Sequence, residues 1–156
     1  MPVSLRPALP EDEPFLFALY ASTRAEEMAT WGLVGAQAEM FLRMQHAAQQ
    51  QHYRATLPHA EHRIVEQDGK PIGRLLVDRR ADEFRLVDVA LLPEHRGRGL
   101  GTSLLQDLLA EARAASKPVR LHALRGGRAA ALYAKLGFSA AGEEGPYTSM
   151  EWRPGP

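Results

Sequence analysis

Gly97, Gly99 and Gly101 alternate within PEHRGRGLGTSLL, residues 93 to 105, between a run of strand formers and a leucine-striped segment. Glycine tolerates positive φ and lets backbone approach a ligand closely, so a glycine-rich turn entering a helix can aim several N–H groups at one anion. The first amides of that helix lack internal partners and lie at the positive end of its dipole. His95, Arg96 and Arg98 add local positive charge. The chemistry that suits this pattern is phosphate or pyrophosphate binding; a tight connection whose glycines only pack is the plain alternative. A P-loop is excluded because no Gly-Lys-Ser/Thr occurs in the chain. The dinucleotide pattern Gly-x-Gly-x-x-Gly also fails, at Thr102 when read from Gly97 and at Leu104 when read from Gly99.

Acid–base chemistry has fewer candidates. His122 lies in VRLHAL, and an imidazole with a pKa near ~6.5 suits proton removal at neutral pH. Strand alternation could equally make it a hydrogen-bonded core histidine. Asp88 and Glu83 are rival bases, each also readable as an ion-paired strand carboxylate. Six histidines raise the question of a metal, but His46, His52, His59 and His62 lack the i, i+4 spacing of a helical ligand pair and no cysteine joins them. No metal site is expected.

The elements that must position these groups read as follows. Residues 2 to 7 alternate as a short strand, and Pro10 with Glu11, Asp12 and Glu13 opens a helix carrying Phe15, Leu16, Leu19 and Tyr20 on one stripe. TWGLVG reads as a loop, and a second helix falls within residues 36 to 52. EHRIVEQ and PIGRLLVDRR flank the hairpin turn Asp68-Gly69, and FRLVDVALL completes an antiparallel meander. After the glycines, Leu100 to Ala112 keep helical spacing, with a stop near Ser116 before Pro118. VRLHAL is a strand, AAALYAKLGF a helix capped by Gly137, and the strands Phe138 to Ala141 and Tyr147 to Trp152 flank the turn-rich GEEGP. The order β-α-α-β-β-β-α-β-α-β-β predicts one α/β domain over residues 1–156.

Composition sets outer bounds. The chain has 156 residues, 45% hydrophobic and 24% charged, enough for one core without staples. Nineteen basic residues balance nineteen acidic ones, so no global field draws it to nucleic acid or an anionic membrane. No run of eighteen apolar residues occurs, and MPVSLRPALPEDEP lacks the marks of a signal peptide, so a cytoplasmic protein is expected.

Two separated motifs give a family resemblance. Arg96-Gly97-Arg98-Gly99-Leu100-Gly101 is similar to the Arg/Gln-x-x-Gly-x-Gly/Ala signature of the GNAT superfamily of acetyl-CoA-dependent N-acyltransferases. Leu132-Tyr133-Ala134-Lys135-Leu136-Gly137-Phe138 resembles its second, Leu-Tyr-x-x-x-Gly-Phe. The resemblance covers residues 61 to 152 and is weaker over 1 to 60. It implies a mixed, mostly antiparallel sheet of about seven strands with helices on both faces. It further implies that Val89, Ala90 and Leu91 line the pantetheine arm of acetyl-CoA, and that Arg96, Gly97, Arg98, Gly99, Leu100, Gly101 and Thr102 hold its pyrophosphate. A backbone N–H around Val89 to Leu91 would stabilise the oxyanion, and Tyr133 would protonate the departing sulfur, with core packing as its plain alternative. His122 falls where some relatives carry a glutamate base. The asparagine many relatives place at the second-signature helix is replaced by Gly126 and Gly127, whose N–H groups could still reach the cofactor.

The activity so implied is transfer of acetyl to a primary amine of a small molecule or peptide in a ternary complex; a CoA-binding sensor without catalysis is the alternative. Trp31, Phe41, Met44 and Tyr53 are candidate acceptor walls, although ordinary core packing is expected for most of them. A homodimer through terminal strands, with Tyr147 to Trp152 as the candidate, would fit the family.

Overall fold

The computed structural model describes residues 3–125 and 127–155. Their backbone forms a seven-stranded sheet and four α-helices in the chain order expected. The strands are β1 (Val3–Pro7), β2 (Glu61–Gln67), β3 (Lys70–Arg79), β4 (Phe84–Leu91), β5 (Val119–Leu124), β6 (Ser139–Glu144) and β7 (Tyr147–Trp152). The helices are α1 (Glu13–Thr30), α2 (Gly35–Thr56), α3 (Leu100–Ala114) and α4 (Arg128–Lys135). The sheet order is β1-β2-β3-β4-β5-β7-β6, mixed because β4 and β5 are parallel whereas β1/β2, β5/β7 and β6/β7 are antiparallel. Two compact units divide the chain: one runs to Leu75 and includes Ala90–Arg96, the other comprises Leu76–Val89 and the chain from Gly97 onward.

In the first unit, Asp68 and Gly69 both take positive φ, +54° and +76°, and make the two-residue turn between β2 and β3. Arg6 on β1 grips both oxygens of Asp12 (2.8 Å each) and Glu66 of β2 (2.8 Å), fixing the entry to α1. The guanidinium and the Leu9 N–H hold the Asp12 carboxyl down at about 2. Leu16, Leu19 and Met28 of α1 and Leu42 of α2 are buried. The second helix outruns its expected end at residue 52, because QQQHYRAT sustains a helix after the apolar stripe stops; it ends before Pro58.

In the second unit, α3 buries Leu104, Leu105, Leu108, Leu109 and Ala112. It closes where Ser116 turns left-handed (φ +58°) and Lys117 N–H returns to Ala112 O at 2.9 Å. The strand β5 alternates, with Val119, Leu121 and Ala123 buried and Arg120, His122 and Leu124 on the other face. The last hairpin differs from expectation: β6 continues through Glu144, so the turn shrinks to Gly145-Pro146. All of β6 is exposed and a register shift falls between Ala140 and Gly142, leaving no alternation to read. Tyr147 to Trp152 is not an edge, because β7 is paired on both sides; the edge strands are β6, beside it, and β1 at the far end.

Candidate functional site

The glycine segment adopts the backbone its composition suggested. Gly97 and Gly99 have φ of +74° and +78°, and a Cβ at either would meet nothing within 4 Å. Their task is conformational rather than packing, since positive φ is strained for other residues and the space above is open. Gly99 is the left-handed N-cap of α3, with no side-chain cap. The first amide bonded back into the helix is that of Ser103, to Gly99 O at 3.0 Å. The N–H groups of Leu100, Gly101 and Thr102 therefore precede the helical ladder, at the positive end of a 15-residue helix. Arg98 is exposed beside them.

The strand that precedes this loop is open along one edge. β4 and β5 pair in register only at Phe84↔Val119 and Arg85↔Arg120, so the remainder of β4 leaves β5. Residues 87 to 89 are accordingly only half-buried, although β4 is a central strand. In the first unit, Ala90 is half-buried and Leu91 buried. Arg96 donates from Nε to Leu91 O (2.9 Å) and lies 3.5 Å from the Ser22 hydroxyl. Its guanidinium thus clamps the end of β4.

Tyr133 is set by the helix end that follows it. The N–H of Phe138 bonds to Tyr133 O (3.0 Å) and that of Gly137 to Ala134 O (3.1 Å), a Schellman cap with Gly137 at φ +103°. The rings of Tyr133 and Phe138 pack at 5.6 Å, the apolar contact that accompanies such a cap. In Leu-Tyr-x-x-x-Gly-Phe, glycine and phenylalanine therefore hold the tyrosine. Its side chain is 9% exposed. Burial, and secondarily the negative charge of Asp88, push its pKa up to about 12. Among the described residues its hydroxyl makes no hydrogen bond.

His122 is exposed on the β5 face opposite Leu121 and Ala123, with Nε2 3.4 Å from Glu144 Oε2. It is not a core histidine. Glu83, a rival base, is buried and engaged by Arg120 at 3.0 Å. The N–H of Gly127 is taken up by Leu124 O (3.0 Å), which removes the free amide expected there; Gly126 lies outside the described residues. Trp31 and Met44 are 55% and 67% exposed, which corrects the expectation of core packing. They also stand apart from the cavity of about 430 Å³ on α1 and α2, lined by Glu13, Pro14, Phe17, Arg43, His46 and Ala47.

A family model described as the acetyltransferase (GNAT) domain matches residues 58–140. The chain belongs to this family. No curated protein matches it. Among solved structures it is similar to the PaiA N-acetyltransferase of Thermoplasma acidophilum in complex with coenzyme A. That likeness has 19% identity and a TM-score of 0.74, covering 98% of this chain and 99% of the other. An acetyltransferase of Thermus thermophilus gives 20% identity and a TM-score of 0.71, covering 98% and 97%. A GNAT family acetyltransferase of Elizabethkingia anophelis with acetyl-CoA bound gives 13% and 0.63, covering 97% of each.

Membership makes the protein an acyltransferase of the GNAT type, with acetyl-CoA the fitting co-substrate. The second unit thus carries two positive-φ glycines under open space, three amides ahead of the helical ladder, and a β4 whose register with β5 ends at Arg85. No described helix is long and apolar enough to cross a membrane. One group that the motifs did not single out is the charge cluster around Arg120. Its trace in the sequence is a repeated Glu-aromatic-Arg, Glu83-Phe84-Arg85 and Glu151-Trp152-Arg153, which puts alternating charges on one strand face.

Proposed function

We propose that the protein transfers acetyl from acetyl-CoA directly to a primary amine of a small molecule or peptide, both substrates being bound together. The observation that carries this reading is the open β4 edge leading to the three unladdered amides at the start of α3. Gly97 to Thr102 would hold the pyrophosphate, with Arg98 adding charge, while Val89, Ala90 and Leu91 would present backbone to the pantetheine arm. Arg96 supports this segment through its bond to Leu91 O.

Acetyl-CoA supplies an acetyl thioester when bound. Its acetyl carbon bonds to the amine nitrogen, the carbon–sulfur bond breaks, and a proton must leave the nitrogen while another reaches the sulfur. Attack requires a neutral amine, and His122 is the group assigned to take its proton. A backbone N–H around Val89 to Leu91 would stabilise the charge that builds on the acetyl oxygen. The Tyr133 hydroxyl gives its proton to the sulfur; with its pKa at about 12 it stays protonated across the working pH range. Proton transfer from nitrogen through water is compatible with the same arrangement.

A second reading, CoA binding without turnover, is favoured by one observation: Glu83, a rival base, is engaged by Arg120 (3.0 Å), which leaves proton removal to the exposed His122, 3.4 Å from Glu144. A thermal-shift titration with acetyl-CoA, CoA, ATP and NADH, followed by thiol release across an amine panel, separates the readings. Stabilisation by CoA compounds with thiol release supports the transferase; stabilisation without release from any amine supports the binding module. Stabilisation by NADH or ATP alone would refute both.

A further inference from the structure

At the point where β4 and β5 part, five charged side chains of the second unit alternate in sign. Arg120 on β5 donates from Nε to Glu151 Oε2 of β7 (3.1 Å) and from Nη1 to Glu83 Oε1 beside β4 (3.0 Å). The other oxygen of Glu83 lies 3.8 Å from Arg85 Nη2, and Glu151 also pairs with Arg153. The sequence Arg85, Glu83, Arg120, Glu151, Arg153 thus crosses three strands. Its location is specific. Arg85 and Arg120 are partners in the last β4/β5 register pair, beyond which those strands separate.

Two guanidiniums opposed in register repel, and Glu83 lies against both. Its side chain is about nine-tenths buried, so the carboxylate depends on those partners for the solvation it has lost. Arg120 suits the bridging role because its fork addresses two carboxylates in fixed directions, as a lysine ammonium cannot. The guanidinium is correspondingly more firmly protonated than usual, and the Glu151 carboxyl is held down chiefly by its hydrogen bond from Arg120, against burial.

We propose that the Glu83–Arg120–Glu151 bridge is a clasp that fixes where β4 and β5 separate and so sets the opening that receives the acetyl-CoA arm. This rests on the reading of that opening as the cofactor site. Arg120 and Glu83 are positioning residues, acting through the strand edges and not on the reacting atoms. Glu83 is thereby assigned away from proton transfer.

The test compares wild type with Arg120→Gln by hydrogen–deuterium exchange and by acetyl-CoA kinetics. Exchange should rise about tenfold in residues 86–89 and 121–124 while α3 keeps its protection. The KM for acetyl-CoA should rise about threefold to tenfold with kcat held within about twofold, the coupling expected of a residue remote from the ligand. Arg120→Lys should recover part of both. Should Arg120→Gln fail to fold, Glu151→Gln, which keeps an acceptor on β7, should shift both readouts in the same direction by less. Unchanged exchange on β4 and β5, or a uniform rise across the second unit, would overturn the clasp. If wild type does not bind acetyl-CoA, the cofactor reading fails separately, and the exchange pattern still decides whether the strand junction depends on Arg120.

Discussion

Both signature helices of the second unit are entered through glycine, yet their N-termini are built for opposite ends. At α3 the cap residue Gly99 is left-handed (φ +78°), a Cβ there would meet nothing within 4 Å, and three amides follow unladdered. At α4 the cap residue Gly127 has φ −77°, its N–H is bonded to Leu124 O, and a Cβ would stand 3.2 Å from that same oxygen. The first glycine leaves backbone donors open; the second closes a turn. In the proposed reaction the eight-residue α4 would contribute through a side chain instead, Tyr133, locked by the cap at its other end. Recognition through backbone and chemistry through a side chain should therefore be separable by substitution.

Tyr133→Phe should show the largest effect, on one side of that division. It removes only the hydroxyl, so kcat should fall about 100-fold, the lower range for loss of a proton donor, with acetyl-CoA affinity unchanged by titration. The same residue gives a pH signature. Its folded pKa of about 12 stands above the ordinary 10.0, so between those values the unfolded chain releases a proton that the folded chain keeps. Stability should be intact below pH 10 and decline as pH climbs toward 12, by on the order of 2 kcal/mol. Denaturation of Tyr133→Phe over that range should lack this component.

Gly99→Val should produce the reverse pattern. A β-branched residue at positive φ strains the cap by about 1–2 kcal/mol and tilts the amides behind it. Acetyl-CoA affinity should drop about 30-fold, a loss of about 2 kcal/mol, while kcat at saturation changes by less than about threefold. Loss of kcat with full affinity would place α3 in chemistry rather than binding and remove the contrast.

What the sequence made legible follows the same divide between local and distant causes. The limits of β2, β5 and β7 match their reading because alternation persists or turn residues bound them, as in β5 with Val119, Leu121 and Ala123 inward. The positive φ of Gly97, Gly99 and Gly137 is a local demand that glycine reports directly. β6 outruns its sequence pattern because an entirely exposed strand carries no period, and α2 does so because helix-forming residues outlast its apolar stripe. Arg96 could be recognised as a motif residue, but its partner, the Leu91 carbonyl, is backbone and has no sequence signal. The Arg120 bridge joins residues 31 and 37 positions away, beyond any spacing rule.

Gly137→Ala tests the lock on Tyr133 and should have a smaller effect. At φ +103° alanine is strained, and its Cβ would approach the Trp152 ring to 3.3 Å, so stability should fall by about 1–2 kcal/mol. Because the cap seats Phe138 against Tyr133, kcat should also fall, by about threefold, without loss of acetyl-CoA affinity. The reduction must be smaller than in Tyr133→Phe, since the hydroxyl remains.

Gly127→Ala should do least, and that small effect is the sharpest check on the comparison. Its φ of −77° suits any residue, and the 3.2 Å approach to Leu124 O needs the turn to give by only a few tenths of an ångström. Alanine also reduces the freedom of the unfolded chain, which offsets part of the crowding. Stability should change by less than about 1 kcal/mol and acetyl-CoA affinity by less than about twofold. A loss of affinity comparable to that of Gly99→Val would mean that the Gly127 amide leaves Leu124 to hold ligand, so that both helix starts serve recognition. Denaturant melts and calorimetric titration on the two variants side by side decide between a turn glycine and a ligand glycine.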